Sequence, residues 1–390
     1  MLARAAILLA AGIVLACSQS SSGGPQSTGG GAGHGGVGGE VSGVGGVSGT
    51  TSGTSAGPST EAGRSGSGGG GASAGQGGTD SGAAGRGGEA AGVSGAAGSQ
   101  AADPSTLGGL YCPPQGGPYP APFAGSATAQ LVPIQPPSGI EFLEGPVWLA
   151  EPGVLLMSEW FTGQHRILQL TPPQAIEVWL PTSRSNGLIL APSGDALLLV
   201  TETPTAGVAR VSLTSKEVES LASSYQGQAF VQPNDLAVRA DGLLFFTDYQ
   251  AGRLYRLDAD RSVTLVAAQP HANGVGLAPD ERTLYLNSDA HTFAYPLDAA
   301  GALGTPRELS SAVQGADGLA IDCAGNVYVA QNEARSLLVL SAAGDELGEI
   351  DVQSNAVTNA AFGGPERRTL YITTADALYS VELAIPGLPY

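Results

Sequence analysis

The sequence predicts an all-β fold, a six-bladed β-propeller of four-stranded blades, and three observations carry that expectation. One pattern recurs six times between residues 144 and 374: an acidic or amide residue beside a small one, an apolar run, a Gly/Asp-type turn and a second apolar strand. The copies open on Glu144-Gly145-Pro146, Asn186-Gly187-Leu188, Asn234-Asp235-Leu236, Asn273-Gly274-Val275, Asp317-Gly318-Leu319 and Asn359-Ala360-Ala361. Their lead residues lie 39 to 48 positions apart, the period of a propeller blade. The apolar stretches between them are short and rich in β formers, such as Leu197 to Val200, Leu243 to Phe246 and Thr369 to Ile372, and Gly, Pro, Asp and Ser punctuate them. A β-sandwich would account for the strands but not for the repeat. A solenoid would account for the repeat but would not bring six polar positions within reach of one another.

Along the chain, residues 1–16 read as a signal segment: Arg4 supplies a positive charge, and Ala5 to Ala16 form an apolar core too short to span a bilayer. The run Val14-Leu15-Ala16-Cys17 resembles a lipoprotein signal, which would make Cys17 the lipidated N-terminus. Residues 17–105 are dominated by Gly, Ser, Ala and Thr, a composition that cannot bury enough apolar surface to offset its ordering entropy. They read as a flexible tether with an r.m.s. span of about 50 Å. The expected setting is an exported, membrane-anchored domain held by its N-terminal lipid only, on the periplasmic or cell-surface side. Ser18 favours the outer membrane.

Residues 106–390 remain for the propeller, enough for one large core, with a monomer expected. The formal charge of −18 is spread along the chain and excludes nucleic acid as a partner, because a basic face supplies most of that affinity. Besides Cys17 there are two cysteines, Cys112 in a Pro/Gly-rich lead-in and Cys323 in the fifth repeat. In an exported chain they are candidates for a disulfide that ties the start of the domain to a late blade.

In a propeller the innermost strand of every blade faces one axis, so six equivalent positions become one ring. That ring of Glu144, Asn186, Asn234, Asn273, Asp317 and Asn359 offers oxygen donors only. Hard cations such as Ca²⁺ favour such donors, and no His/Cys cluster with zinc spacing is present. Glu144, Asn273 and Asp317 are the candidate metal ligands. His271, two residues before Asn273, is a candidate for the pocket wall. Asn-Gly and Asp-Gly pairs are also common turn formers, so each pair alone says little; Glu144 has no turn preference and stands out. Asn359 is the weakest member, placed to seat the last blade.

In this order and spacing, Glu144-Gly145-Pro146-Val147-Trp148, Pro233-Asn234-Asp235-Leu236 with Phe246-Thr247-Asp248, Asn273-Gly274 with Pro279-Asp280-Glu281-Arg282-Thr283-Leu284-Tyr285, and Asp317-Gly318-Leu319 resemble the SMP-30/gluconolactonase/LRE-like family of six-bladed propellers. Thr358-Asn359-Ala360-Ala361-Phe362-Gly363-Gly364-Pro365 completes the match. The resemblance implies a divalent metal (Ca²⁺ first, with Zn²⁺, Mn²⁺ or Mg²⁺ as alternatives) held by Glu144, Asn273 and Asp317. It implies a small lactone as substrate, hydrolysed as a cyclic ester, with Asp317 as ligand and general base. Asn234 would touch the metal through water or hold the substrate, and Asn186 is a further candidate for substrate contact. A non-catalytic propeller that binds a small ligand or protein in the same funnel is the alternative. One departure concerns the second repeat, where Pro204-Thr205-Ala206-Gly207 follows Glu202 in place of the His-Gly common in bacterial members.

Overall fold

The computed structural model describes residues 103–390 apart from 115–116, 135–138, 161–164, 203 and 355. The signal segment, Cys17 and nearly all of the tether lie outside the described residues. A short helix, α1 (Leu107–Tyr111), comes first, followed by β1 (Ala127–Thr128) and β2 (Gln130–Leu131). Six blades follow in order around one axis. Blade 1 holds β3 (Leu143–Leu149), β4 (Val154–Glu159), β5 (Arg166–Thr171) and β6 (Ala175–Leu180). Blade 2 holds β7 (Ser185–Leu190), β8 (Ala196–Thr201), β9 (Gly207–Ser212) and β10 (Val218–Ala222), and a small hairpin, β11 (Ser224–Tyr225) with β12 (Gln228–Ala229), leads out of it. Blade 3 holds β13 (Pro233–Val238), β14 (Leu244–Asp248), β15 (Arg253–Leu257) and β16 (Val263–Ala268). Blade 4 holds β17 (Ala272–Leu277), β18 (Thr283–Ser288), β19 (His291–Pro296) and β20 (Arg307–Ser310).

Blade 5 holds β21 (Ala316–Ile321), β22 (Val327–Gln331), β23 (Ser336–Leu340) and β24 (Glu346–Asp351). Blade 6 has β25 (Val357–Gly363), β26 (Thr369–Thr374) and β27 (Leu378–Glu382) from the C-terminal end of the chain. Its fourth strand is β2, which pairs antiparallel with β27 through Gln130 opposite Ser380. The ring is therefore closed by pairing the two ends of the domain. Just before β2, β1 runs parallel to β24, so one extended segment stitches blade 5 to blade 6.

Burial falls from the axis outwards, and this explains the sequence pattern. Inner strands are covered on both faces: β3, β13, β17, β21 and β25 are buried throughout. Such strands read as continuous runs of apolar and small residues rather than as alternation. Outer strands such as β6 and β10 are largely open to solvent and carry Glu, Ser and Val. Neighbouring blades bury their facing sides against each other, for example Leu188, Leu197 and Leu199 of blade 2 against Val147 and Leu156 of blade 1.

The lower end of the axis, where the inner strands finish, is sealed by the C-terminal tail. Ile321, Phe362 and Trp148 of three inner strands bond to the tail: Leu388 N–H donates to the Ile321 carbonyl (2.9 Å), Phe362 N–H to that of Leu388 (3.2 Å) and Trp148 N–H to that of Pro389 (2.7 Å). Tyr390 then packs against side chains of several blades. Cys112 and Cys323 are joined in a disulfide, with Cα atoms 5.5 Å apart, that fixes α1 under blade 5. Gly108 N–H donates to the Pro279 carbonyl (2.7 Å) beside it. Among the described residues, no helix is long and apolar enough to cross a membrane.

Candidate functional site

Each lead residue sits one or two positions inside its strand, not in a turn, and the ladder is irregular at that point in every blade. The register shifts between Glu144 and Val147, Ser185 and Leu188, Pro233 and Leu236, Ala272 and Val275, Ala316 and Leu319, and Val357 and Asn359. A β-bulge re-aims side chains next to it. The bulges turn polar side chains towards the axis at its upper end; in blade 6 the bulge is one residue shorter, and Asn359 takes the place that Asp235 holds in blade 3, its Oδ1 accepting from the next N–H at 2.8 Å as that of Asp235 does. The small residue after each lead has a packing reason. A Cβ on Gly274 would lie 2.4 Å from the Asp317 carbonyl oxygen, and one on Gly187 would lie 2.5 Å from Asp235 Oδ1. Adjacent inner strands meet at the axis, and these glycines permit the approach. The Asn-Gly and Asp-Gly pairs are therefore contact points between blades, not turn formers.

The ring gathers Glu144, Asp317 and, unexpectedly, Asp235, all buried. Burial and the charges of Asp317 and Asp235 push the Glu144 carboxyl well above its usual range. Burial, with a contribution from Asp235, raises Asp317 to about 7. Burial alone raises Asp235 to about 7, against the hydrogen bonds it accepts from Leu236 and Val275 N–H. The amides tie these acids together. Asn273 and Asn332 donate to Asp317, with Asn332 Nδ2 2.8 Å from Oδ2. Asn359 bonds both Glu144 and Asp235. Asn186 bonds Glu202. Asn234 is buried in blade 3 at the matching position. His271 is different: it lies on the rim, half exposed, its Nδ1 2.7 Å from Asp289 Oδ1 and its ring stacked on Tyr249.

A second tier sits above the first, and the repeat pattern did not reveal it. The residue that follows the second strand of a blade donates its N–H to the carbonyl of the residue before the first strand or beginning it. Trp160 donates to Phe142 (3.0 Å), Glu202 to Arg184 (3.1 Å), Tyr249 to Gln232 (2.9 Å) and Asn332 to Gly315 (2.8 Å). Phe142, Arg184, His271 and Gly315 hold left-handed backbone, with φ of 53°, 52°, 47° and 68°. Repeated strain of this kind clusters at functional mouths. The tier carries aromatic pairs, Phe142 on Trp160 and Tyr249 on His271, and a polar stretch in which Gln232 Nε2 donates to Glu202 Oε1 (3.3 Å). In the first tier a sequence signal existed for Asp235: the residue after the lead is Gly in four of the other blades and Ala in the fifth, and an acid there demanded a reason.

Among the described residues no three His, Cys, Asp or Glu side chains form a metal centre by themselves. Asp235 accepts its hydrogen bonds from the strands below the ring, which leaves Glu144 and Asp317 as the carboxylates of the upper face. Two buried acids, Glu144 raised in part by the charge of Asp317, with amide oxygens of Asn273 and Asn234 as the other donors, form an all-oxygen set of the kind hard divalent cations take. On this chemistry the residues fit such an ion.

A profile of the SMP-30/gluconolactonase/LRE-like region matches residues 142–376, which is more than half of the chain and includes every lead residue. The chain belongs to this family. Two curated relatives show how far the likeness reaches. A pentonolactonase of Haloferax volcanii is 35% identical over 153 residues, covering 36% of this chain and 53% of that protein. A gluconolactonase of Zymomonas mobilis is 26% identical over 289 residues, covering 63% of this chain and 79% of that protein. The chain thus spans about half the length of the first relative. The solved structure of a gluconolactonase from Xanthomonas campestris superposes with a TM-score of 0.58 at 22% identity, covering 67% of this chain and 99% of that one. This last likeness concerns the fold.

Proposed function

We propose that this chain is a divalent-metal-dependent lactonase that opens a cyclic ester at the upper end of its propeller axis. The observation that carries the reading is the pair Glu144 and Asp317, both buried and raised in pKa, Glu144 in part by the charge of Asp317, and flanked by amide donors. A purely structural axis has no use for two such carboxylates. The lactonase names of the curated relatives support the same chemistry.

Glu144, Asn273 and Asp317 would hold the cation, with Asn234 beside it, and Ca²⁺ is the first choice for an all-oxygen set. Bound there, it would polarise the lactone carbonyl and offset the repulsion between Glu144 and Asp317. The remaining work belongs to the chain. Asp317, held at Oδ2 by Asn332, accepts a proton from the attacking water. The water oxygen bonds to the carbonyl carbon, the ring C–O bond breaks, and the former ring oxygen leaves as a hydroxyl by taking back the proton that Asp317 accepted. Asn186 and Asn234 orient the substrate, and the Trp160 and Tyr249 faces border its entry.

The Cys112–Cys323 disulfide supports an exported location, since such bonds persist in oxidising compartments. Lipidation at Cys17 then remains the proposed anchor. The test of function is hydrolysis of a panel of sugar and aliphatic lactones by purified protein stripped of metal and then titrated with Ca²⁺, Zn²⁺ and Mn²⁺. Turnover that appears only with metal is the expected outcome. A cation that raises Tm while no lactone is opened would instead favour a binding role for the same funnel.

A further inference from the structure

A bulge takes residues out of the ladder, so their backbone groups need partners from elsewhere. In blade 5 the pairing runs from Ala316 opposite Gln331 to Leu319 opposite Val329, which leaves Asp317 and Gly318 out of it. Blades 3 and 6 meet the same need inside the blade. Thr247 faces the blade 3 bulge from β14, where its Oγ1 accepts from Asp235 N–H at 3.0 Å and donates to the Asp235 carbonyl at 3.4 Å. Thr373 does the same in blade 6 and donates to the Asn359 carbonyl at 3.1 Å. In blade 5 that place on β22 belongs to Ala330, whose side chain has no polar atom.

The missing grip comes from the neighbouring blade. Asn287 of β18 is fully buried, and its Nδ2 donates to the Asp317 carbonyl at 2.7 Å and to that of Gly318 at 3.3 Å. Carbonyl oxygens only accept, so the amide must turn its nitrogen to them and its oxygen away. Thr292, also fully buried, fixes that choice by donating to Asn287 Oδ1 at 2.9 Å. The contact lies at the seam where a Cβ on Gly274 would meet the Asp317 carbonyl oxygen at 2.4 Å. Within its own blade Asn287 stands opposite the bulge that carries Asn273. One side chain thus ties together the strands of two candidate ligands. It grips the backbone of Asp317 and takes up neither carboxylate oxygen.

We propose that Asn287, oriented by Thr292, is the positioning residue that sets where the Asp317 carboxylate stands, and with it the affinity for the cation and the rate of the water's attack. The assignment rests on the lactonase reading, and cation affinity tests it without turnover. Full-length protein stripped of metal would be titrated by calorimetry with Ca²⁺, Zn²⁺ and Mn²⁺. It would then be assayed, saturated with the cation that wild type binds most tightly, on the lactone that wild type opens fastest. A misplacement of about 1 Å costs about 10²-fold in rate, so Asn287→Ala is expected to lower both cation affinity and kcat by roughly tenfold or more. KM for the lactone should stay close to the wild-type value, because Asn287 acts through Asp317. Thr292→Val leaves the amide in place but free to turn, and should shift both quantities in the same direction by less.

Tyr328→Phe is the control. It removes another buried bond of blade 5 at the lower end of the axis, from the hydroxyl to Asp322 Oδ2 at 2.9 Å. It should lower Tm while cation affinity and kcat stay at wild-type values. If Asn287→Ala behaves like Tyr328→Phe, losing Tm alone, Asn287 is merely structural and the assignment is overturned. A raised KM with unchanged kcat overturns it too, since the residue would then serve substrate binding. Should Asn287→Ala not fold, Thr292→Val decides on the same readouts. If wild type binds a cation but opens no lactone, the lactonase reading falls and cation affinity still decides for or against Asn287. If wild type binds no cation, both fall.

Discussion

The two ends of the propeller axis are built from the same six strands and do opposite things. At the upper end Glu144, Asp235 and Asp317 are crowded together, each pushed above its ordinary pKa by burial. A few residues further along, the strands present Leu236, Val275 and Ile321 to a small cavity of about 20 Å³ that Asp235 and Asn359 also line, floored by Leu388 and Tyr390. That is room for about one water. The switch occurs at the bulges. Before them the strand offers acids and amides to the axis, and after them it offers apolar side chains. Chemistry at the top therefore depends on stability supplied from the bottom, and the two can be broken separately.

The largest effect is expected from Asp317→Ala. Loss of the general base and of one ligand should lower kcat/KM for a lactone by about 10³-fold or more, in the range a positioned base contributes together with a lost ligand. The fold should survive. Without added metal, removing one of three crowded acids should leave Tm unchanged or raise it. With Ca²⁺ the variant should gain less Tm than wild type, because weaker binding gives less linked stabilisation. Wild-type turnover in this variant would sink the mechanism.

At the other end, Tyr390→Ala should leave kcat nearly intact and cost stability. The ring packs against residues of several blades and stands edge-on to Tyr111 at 6.1 Å. Losing a large aromatic from such a position costs about 3 kcal/mol. Tyr390→Phe separates the ring from its hydroxyl, which is buried with no protein partner among the described residues. That change should be neutral or slightly stabilising in urea or thermal unfolding. A loss like that of the alanine variant would show that the hydroxyl is engaged after all.

The contrast also explains what the sequence could and could not disclose. The blades were legible because every inner strand is buried on both faces, which leaves a continuous apolar run at a fixed period. The lead residues were legible because a polar side chain opening such a run is conspicuous six times over. Asp235 was hidden behind Asn234: two polar residues stand side by side, and only the bulge, with Gly187 making room, shows that the second one also reaches the axis. Asn332 and Glu202 were hidden because they follow β22 and β8 and join the ring through backbone bonds across the hairpin. The tail was hidden for another reason. Nothing in Pro386-Gly387-Leu388-Pro389-Tyr390 announces that it returns to close the tunnel, since its partners lie in strands far away in the chain.

Asp235 offers a way to measure the cost of crowding. Its folded pKa is raised to about 7 from an ordinary value near 3.8. A raised acid contributes stability that is fully present below the ordinary value and is lost as pH rises through the folded one. In metal-free protein, stability should therefore fall between about pH 4 and pH 7, by at most about 4 kcal/mol from this group. Asp235→Asn should flatten that fall. Chemical unfolding of both proteins at pH 4.5, 6 and 7.5 measures it. Parallel pH profiles would mean that Asp235 does not titrate in this window.

The smallest effect sharpens the upper end itself. Asn332 is not in the ring, yet its Nδ2 donates to Asp317 Oδ2 at 2.8 Å and holds the Asp317 pKa down. Asn332→Ala removes that bond, so the Asp317 pKa rises. A base works only when deprotonated, so the acidic limb of kcat/KM should move to higher pH. A hydrogen bond to a charged group is worth about 1.5–3 kcal/mol, which sets the loss at roughly tenfold or somewhat more on the acidic side. On the alkaline plateau Asp317 is ionised in both proteins, and the rates should approach each other. Uniform loss at every pH would assign Asn332 to substrate contact or to packing, whereas a loss confined to low pH identifies it as the residue that keeps the base ionised among its crowded neighbours.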